Sequence, residues 1–300
     1  MNELEFVPAK TIVTRTKSSD WFGANYNMNI YRGCCHGCIY CDSRSSCYRI
    51  DNFDTVRVKE NALEIIRNDL RRKIRPGVVS TGAMSDPYNP LEEKYLYTRN
   101  ALQLIHAYGF GIAIATKSPL VTRDIDLLED IKEAMPVLAK ITITTADDSL
   151  SEKIEPNTAP SSQRFAALET LSKHQIFSGI LLMPVLPFLE DTEENILNIV
   201  RRAHECGARF IYPAFGVTLR ENQREYFFSR LDELFPGLRE RYQKTFGTNY
   251  RCSSPKASTL WTLFTAECRR LGLLYKMQDI VSAYKLGYGD SQLTFFGDPS

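Results

Sequence analysis

Three cysteines at close spacing, Cys34, Cys38 and Cys41, carry the sharpest chemistry in this sequence. They lie in the run Gly33-Cys34-Cys35-His36-Gly37-Cys38-Ile39-Tyr40-Cys41. Thiolates set this way in a loop can hold three corners of a cubane iron–sulfur cluster, leaving one iron open to another ligand. An open iron separates a catalytic cluster from an electron carrier, which is usually fully ligated. A zinc site would need a fourth donor, and His36 sits too close in sequence to serve easily beside both neighbouring thiolates. Zinc, or thiols without a metal, are the alternatives to the cluster.

The other reactive residue types read more plainly. Cys206 falls on the apolar stripe of a helix, and Cys268 shares a face with Leu260, Phe264 and Leu271, so both are expected to be core thiols. Cys35 is incidental to the loop. Cys47 and Cys252 lie in polar, turn-like contexts and read as inert thiols or as ligands of a second metal. His106, His174 and His204 lack metal-ligand spacing, and Gly109 with Gly111 makes no nucleotide fingerprint. Arg67, Arg71, Arg72, Lys73 and Arg75 form a basic run, read as a solvated helix face with phosphate binding as the alternative. Tyr250, Tyr275, Tyr284 and Tyr288 line a substrate cavity, relay a radical, or simply pack.

Composition bounds the classes. The chain has 300 residues, 43% hydrophobic and 24% charged, which excludes a disordered polymer. Lys plus Arg number 37 against 36 for Asp plus Glu, a net charge of +1, so no general basic coat for nucleic acid exists. The longest apolar stretch, Gly179 to Phe188, is too short to span a bilayer and holds two prolines. Met1 to Ser19 has no apolar signal core. A cytoplasmic protein without membrane contact is expected, in which eight cysteines are not a disulfide framework.

Positioning the cysteine loop requires a scaffold, and the chain from 25 to 215 alternates strand-like and helical runs. Strands are expected at Tyr26–Gly33, Val78–Gly82, Phe110–Thr116, Lys140–Thr145, Ile176–Met183 and Arg209–Ala214. Helices are expected at Glu60–Arg75 (Leu63, Ile66, Leu70 and Ile74 on one face), Tyr95–Tyr108, Thr122–Glu133 and Ser161–Lys173, the last capped by serine. Another, capped by Asp191 with Glu194 three residues on, buries Ile196, Ile199, Val200 and Ala203. Six repeats predict an α/β fold, a partial (β/α)6 TIM-type barrel with the cysteine loop after its first strand, where active-site residues collect. Residues 1–24 form an N-terminal segment, 25–215 the barrel, and 216–300 a helical C-terminal extension packed on its mouth or bottom, with helices within Leu219–Lys244 and Ser258–Leu271.

C-x3-C-x-aromatic-C in this setting resembles the radical SAM superfamily. The resemblance implies a [4Fe-4S] cluster on Cys34, Cys38 and Cys41, whose open iron binds S-adenosylmethionine. It further implies reductive cleavage to a 5′-deoxyadenosyl radical, with electrons from a donor such as flavodoxin or ferredoxin. Tyr40 would lie along the adenine. Ser85-Asp86-Pro87, Thr116-Lys117-Ser118, Thr142-Ile143-Thr144, and Glu155-Pro156 with Arg164 resemble the spore photoproduct lyase-like branch. On that likeness Lys117 meets the carboxylate of S-adenosylmethionine, and Ser85 with Thr142 or Thr144 faces its methionine or ribose. Asp86 and Arg164 join this cofactor-binding set. The charge of Lys117 at a strand's carboxyl end independently suits an anionic ligand.

One departure sets this chain apart. The lyase has a hydrogen-donating cysteine two positions before the serine, and Ala83 stands there, so true lyase activity is not expected. Cys47 or Cys252 could substitute as donor. The expected function is a radical enzyme whose substrate, whether nucleic-acid base, peptide or small metabolite, is open. A non-enzymatic iron–sulfur or zinc redox or structural protein, and a DNA-lesion repair lyase, are the alternatives.

Overall fold

A computed structural model describes residues 4–73 and 75–288. Its central sheet has seven strands: β1 (Val13–Arg15), β2 (Tyr26–Met28), β3 (Val78–Thr81), β4 (Gly111–Thr116), β5 (Val137–Thr142), β6 (Ser178–Leu182) and β7 (Phe210–Pro213). Their order is β7-β6-β5-β4-β3-β2-β1, parallel from β2 to β7, with β1 antiparallel on the edge. Helices α1 (Ala62–Arg71), α2 (Tyr97–Ala107), α3 (Ile125–Lys132), α4 (Ser161–Lys173) and α5 (Glu193–Glu205) form the crossovers. No pairing joins β7 to β1 or β2 among the described residues, so the expected six-unit barrel is present and open at one seam.

The four central strands, β3 to β6, bury both faces. Ile112, Ile114, Ala139, Ile141, Ile180, Leu182 and Ile211 point outward into the layer shared with the helices. Ala113, Leu138, Leu181 and Phe210 point inward, where they meet Phe22, Ile280 and Tyr284. Burial on both sides explains why the strands read as apolar runs instead of alternating ones.

That double burial also accounts for the largest shift from expectation. The fourth barrel strand is Val137–Thr142, not Lys140–Thr145. The alternating Lys-Ile-Thr-Ile-Thr-Thr run mimics a half-exposed strand, but here the apolar Val137-Leu138-Ala139 carries the pairing. The first strand ends at Met28 because Tyr31–Arg32 leaves to pair with Arg57–Lys59, which also pairs with Phe6–Val7. The first helix covers Ala62–Arg71 rather than Glu60–Arg75, and Ile74 lies outside the described residues. A 3₁₀ turn, Pro119–Asp124, replaces the first part of the helix expected from Thr122.

Two caps differ as well. Pro160, not a serine, precedes α4, with Ser161 already helical. Thr192 caps α5 through Asn195 N–H, while Asp191 accepts from Phe188 N–H at 2.6 Å and from the Ser254 hydroxyl at 2.6 Å. Asp191 is drawn to a partner sixty-three residues away, which local spacing does not show.

Beyond the barrel come β8 (Gly216–Thr218) and β9 (Arg251–Ser253), an antiparallel pair, then α6 (Gln223–Leu234), α7 (Leu238–Phe246), α8 (Ala257–Leu271) and α9 (Met277–Lys285). Helix α8 packs beside α5, fastened by Arg201 of α5 on Glu267, which Arg270 of α8 also holds. Helix α9 closes the bottom of the barrel, where the Tyr284 hydroxyl donates to the Phe22 carbonyl at 2.6 Å. Cys268 is a core thiol as expected, and Cys206 caps the end of α5 half-buried. No helix among the described residues is long and apolar enough to cross a membrane.

Candidate active site

The cysteine loop leaves the short Tyr31–Arg32 strand through Gly33, whose φ is +82°. A Cβ there would stand 2.2 Å from the Thr55 carbonyl oxygen, so only glycine fits the turn. Backbone bonds then pin the loop: Cys34 N–H to Phe53 O at 2.8 Å and Ile39 N–H to Ile154 O at 2.9 Å. Side chains add to this. The Ser85 hydroxyl donates to Gly33 O at 2.6 Å, and the Asn157 amide to Cys35 O at 2.9 Å. From the C-terminal extension, buried Gln223 donates its amide to Tyr40 O at 2.9 Å, and Arg220 pairs with Asp42 at 2.9 Å.

Cys34 and Cys38 are buried and Cys41 is half-buried, and all three thiols sense one another's charge. Burial pushes Cys38 and Cys41 upward against the opposing pull of Lys117. Burial raises Cys34 too, but the hydrogen bond and charge of His36, with help from backbone N–H groups, hold it below its ordinary value. No three His, Cys, Asp or Glu side chains among the described residues are placed to share one metal ion. Three thiols from one loop, with His36 turned to the Cys34 thiol and Asp86, make a donor set suited to a cluster that keeps one iron open. Thiols buried this deeply need a cationic partner to ionise, and the donor set fits such a group.

Beside the cysteines is a buried charge network. Glu155 is 1% exposed and accepts from Arg164 Nη1 at 2.5 Å and from the Tyr40 hydroxyl, with Lys117 Nζ 3.9 Å away. Lys117 also stands 5.6 Å from the centre of the Tyr40 ring. Burial alone would lower the pKa of Lys117, but Cys38, Glu155 and Asp86 raise it, so it stays charged. Lys117 and His36 line a cleft of about 480 Å³ together with Tyr88, Asn157 and Thr158.

The expected cofactor-binding residues divide in two. Tyr40, Ser85, Lys117, Thr142 and Thr144 gather near the cysteine loop and the upper ends of β3 to β5. Asp86 and Arg164 depart from expectation because their polar atoms are already used. Asp86 accepts from Tyr88 N–H, the Thr116 hydroxyl and Lys117 N–H at 2.6–2.9 Å, which fastens the tops of β3 and β4. Arg164 is fully buried, and its donors reach Ala159 O, Thr142 O, Glu155, Ser151 and Thr158. Both residues position others.

Of the two candidate hydrogen donors, one is buried and the other exposed. Cys252 is 1% exposed inside a cluster with Val217, Phe227 and Tyr242, its thiol directed at Asn249 O. Cys47 is exposed in a 3₁₀ turn beyond the loop, beside Ser45. Ala83 itself is exposed at the top of β3. The basic run follows α1 toward the start of β3, at the barrel end opposite the cysteine loop, with Arg67, Arg71 and Arg72 exposed. That placement matches a solvated helix face.

Sequence reasoning missed Glu155 as the hub, Gln223 as the loop's clamp, and Glu190. Glu190 is fully buried, accepts from Leu186 N–H at 2.8 Å, and is pushed up to about 8 by desolvation. Its free oxygen and the Thr144 hydroxyl are close enough to interact, yet neither meets hydrogen-bond geometry. Only the charged Glu155 next to Pro156 left a trace in the sequence.

Comparison with known proteins agrees with this geometry. The Radical SAM superfamily model matches residues 28–203. An uncharacterized protein of Mycobacterium tuberculosis (strain ATCC 25618 / H37Rv) is 28% identical over 247 residues, covering 80% of this chain and 72% of its own. An uncharacterized protein of Methanocaldococcus jannaschii is 34% identical over 194 residues, covering 64% and 71%. Among solved structures, spore photoproduct lyase complexed with dinucleoside spore photoproduct shares the fold at a TM-score of 0.66 and 15% identity, covering 89% of this chain and 80% of that one. With the family model spanning more than half of the chain, this protein belongs to the radical SAM superfamily and is an enzyme on a spore photoproduct lyase-like fold.

Proposed function

We propose that Cys34, Cys38 and Cys41 hold a [4Fe-4S] cluster and that S-adenosylmethionine lies across the barrel top beside it. When bound, the two supply a 5′-deoxyadenosyl radical able to abstract hydrogen from a substrate. The residues of the chain do the holding. Lys117, kept charged by its anionic neighbours, receives the carboxylate of S-adenosylmethionine. Tyr40, fixed through its hydroxyl by Glu155, presents its ring to the adenine. Ser85 secures the loop at Gly33 and keeps its lone pairs for the methionine, while Thr142 and Thr144 face the ribose. A soluble one-electron donor of the flavodoxin or ferredoxin type would serve the cluster.

The observation that carries this reading is the Lys117 ammonium, held beside Glu155 and acting on the Cys38 and Cys41 thiols at the edge of an open cleft. The exposed methyl of Ala83 stands where a lyase-type donor thiol would be, which favours a radical reaction other than dimer repair.

Anaerobic reconstitution, reduction with S-adenosylmethionine present, and mass spectrometry of 5′-deoxyadenosine test it. The wild type is expected to form product and the variant with Cys34, Cys38 and Cys41 all changed to Ala none. A reduced, intact cluster in the wild type with no product would overturn the assignment.

A further inference from the structure

Inside the barrel, one charged side chain has no role in the site above. Lys140 lies on the inward face of β5, between Leu138 below and Thr142 above, and is 1% exposed. Its ammonium rests 4.7 Å from the centre of the Phe22 ring. No carboxylate among the described residues pairs with it, and no charged group facing it from β4, β6 or the Phe22 segment alters its titration. Burial pushes its pKa down to about 7 with nothing to oppose the shift.

Above this lysine the barrel wall is not fully closed off from solvent. Asn27, Ala115 and Tyr212 on the wall strands, and Met183 just after β6, are only half-buried. Ala115, the neighbour of Lys140 across the sheet, is small, which leaves the lysine clear on that side. Trp21 stacks edge-on against Tyr212 at the open seam and is 44% exposed. Beneath, Phe22, Ile280 and Tyr284 seal the floor. A buried cation that meets an aromatic ring but no carboxylate is costly unless a ligand supplies the opposite charge.

We propose that Lys140 anchors an anionic group of the substrate, a carboxylate or a phosphate, at the floor of the barrel lumen. The proposal rests on the reading that this enzyme acts on a substrate held in the lumen beside S-adenosylmethionine. It narrows the substrate to molecules carrying such an anion, with the Trp21–Tyr212 wall offering a flat apolar surface to the rest.

The test uses the full reconstituted chain at pH 6.5 and follows thermal unfolding with inorganic phosphate or sodium acetate as probe. Wild-type Tm is expected to rise by several degrees at saturating probe, because the anion binds only the folded lumen. Lys140→Met should melt higher than wild type without a probe and show no probe-dependent rise. Lys140→Arg should keep the rise, and Lys140→Gln replaces the methionine variant if that one gives no cooperative transition. The exposed Lys173→Met is the control for general anion effects. A response to phosphate alone or to acetate alone assigns the group. Equal shifts in wild type and Lys140→Met, or no shift in wild type with either probe, overturn the proposal. Formation of 5′-deoxyadenosine by the wild type is scored separately, so failure there removes the functional reading and leaves the anion result to stand by itself.

Discussion

Changing Glu155 to Gln keeps the shape of the side chain and removes its charge, which makes it the sharpest probe of the network beside the cysteines. In the native fold one carboxylate serves Arg164 at 2.5 Å, Lys117 at 3.9 Å and the Tyr40 hydroxyl. Arg164 is fully buried, so the loss leaves its charge without an anion in a site that water does not reach. Breaking a buried pair from one side costs about 3–5 kcal/mol. At about 2–4 °C per kcal/mol for a large domain, Tm should fall by roughly 10 °C. Arg164 supplies most of this, because its contact is the shorter and its exposure the lower of the two cations. Lys117, released from Glu155, should also hold S-adenosylmethionine less well, so KM for that substrate rises more than kcat falls. Calorimetry and 5′-deoxyadenosine formation against S-adenosylmethionine concentration read the two effects. The pair Glu155→Gln with Lys117→Met should be non-additive, since one change removes the partner of the other. A Glu155→Gln protein that melts within about 1 °C of wild type would refute the reasoning, because no buried pair broken from one side is that cheap.

Further outcomes follow from the same contacts. Gly33→Ala should lower iron bound per chain after reconstitution, since a Cβ at 2.2 Å from Thr55 O forces the loop open; normal iron content would show that the turn can shift. Gln223→Ala removes the donor to Tyr40 O and should make the bound iron more rapidly lost to a chelator, with little change in helix content by circular dichroism. Glu267 is held down to about 2 by Arg270 and Arg201, so the stability it adds is present above pH 4.5 and is lost as pH falls from there toward 2. The Tm gap between wild type and Glu267→Gln should therefore narrow over that window, and a constant gap would remove the assignment.

The six barrel strands and their helices were legible because each crossover repeats a simple alternation that length and apolar content reveal. Boundaries were less so. Val137-Leu138-Ala139 falls outside the expected strand because a doubly buried strand loses the period of two on which strand recognition depends. The cysteine loop declared itself through spacing, and Lys117 through its charge at a strand's end. Glu155 and Gln223 could not be read, since their roles come from partners 115 and 183 residues away in the chain. Arg164 and Asp86 were visible as polar residues, but sequence does not tell whether a donor is spent on the protein or kept for a ligand. The β8–β9 pair and α9 were missed because short edge strands and a nine-residue helix leave little pattern.

The C-terminal extension touches the barrel at both ends: Gln223 and Arg220 grip the cysteine loop, and Tyr284 ties the floor at Phe22. The backbone of the cysteine loop at Tyr40 is thus held by a side chain 183 residues further along. Its settled shape depends on the extension being folded, so loosening that extension should loosen the loop without touching a single thiol.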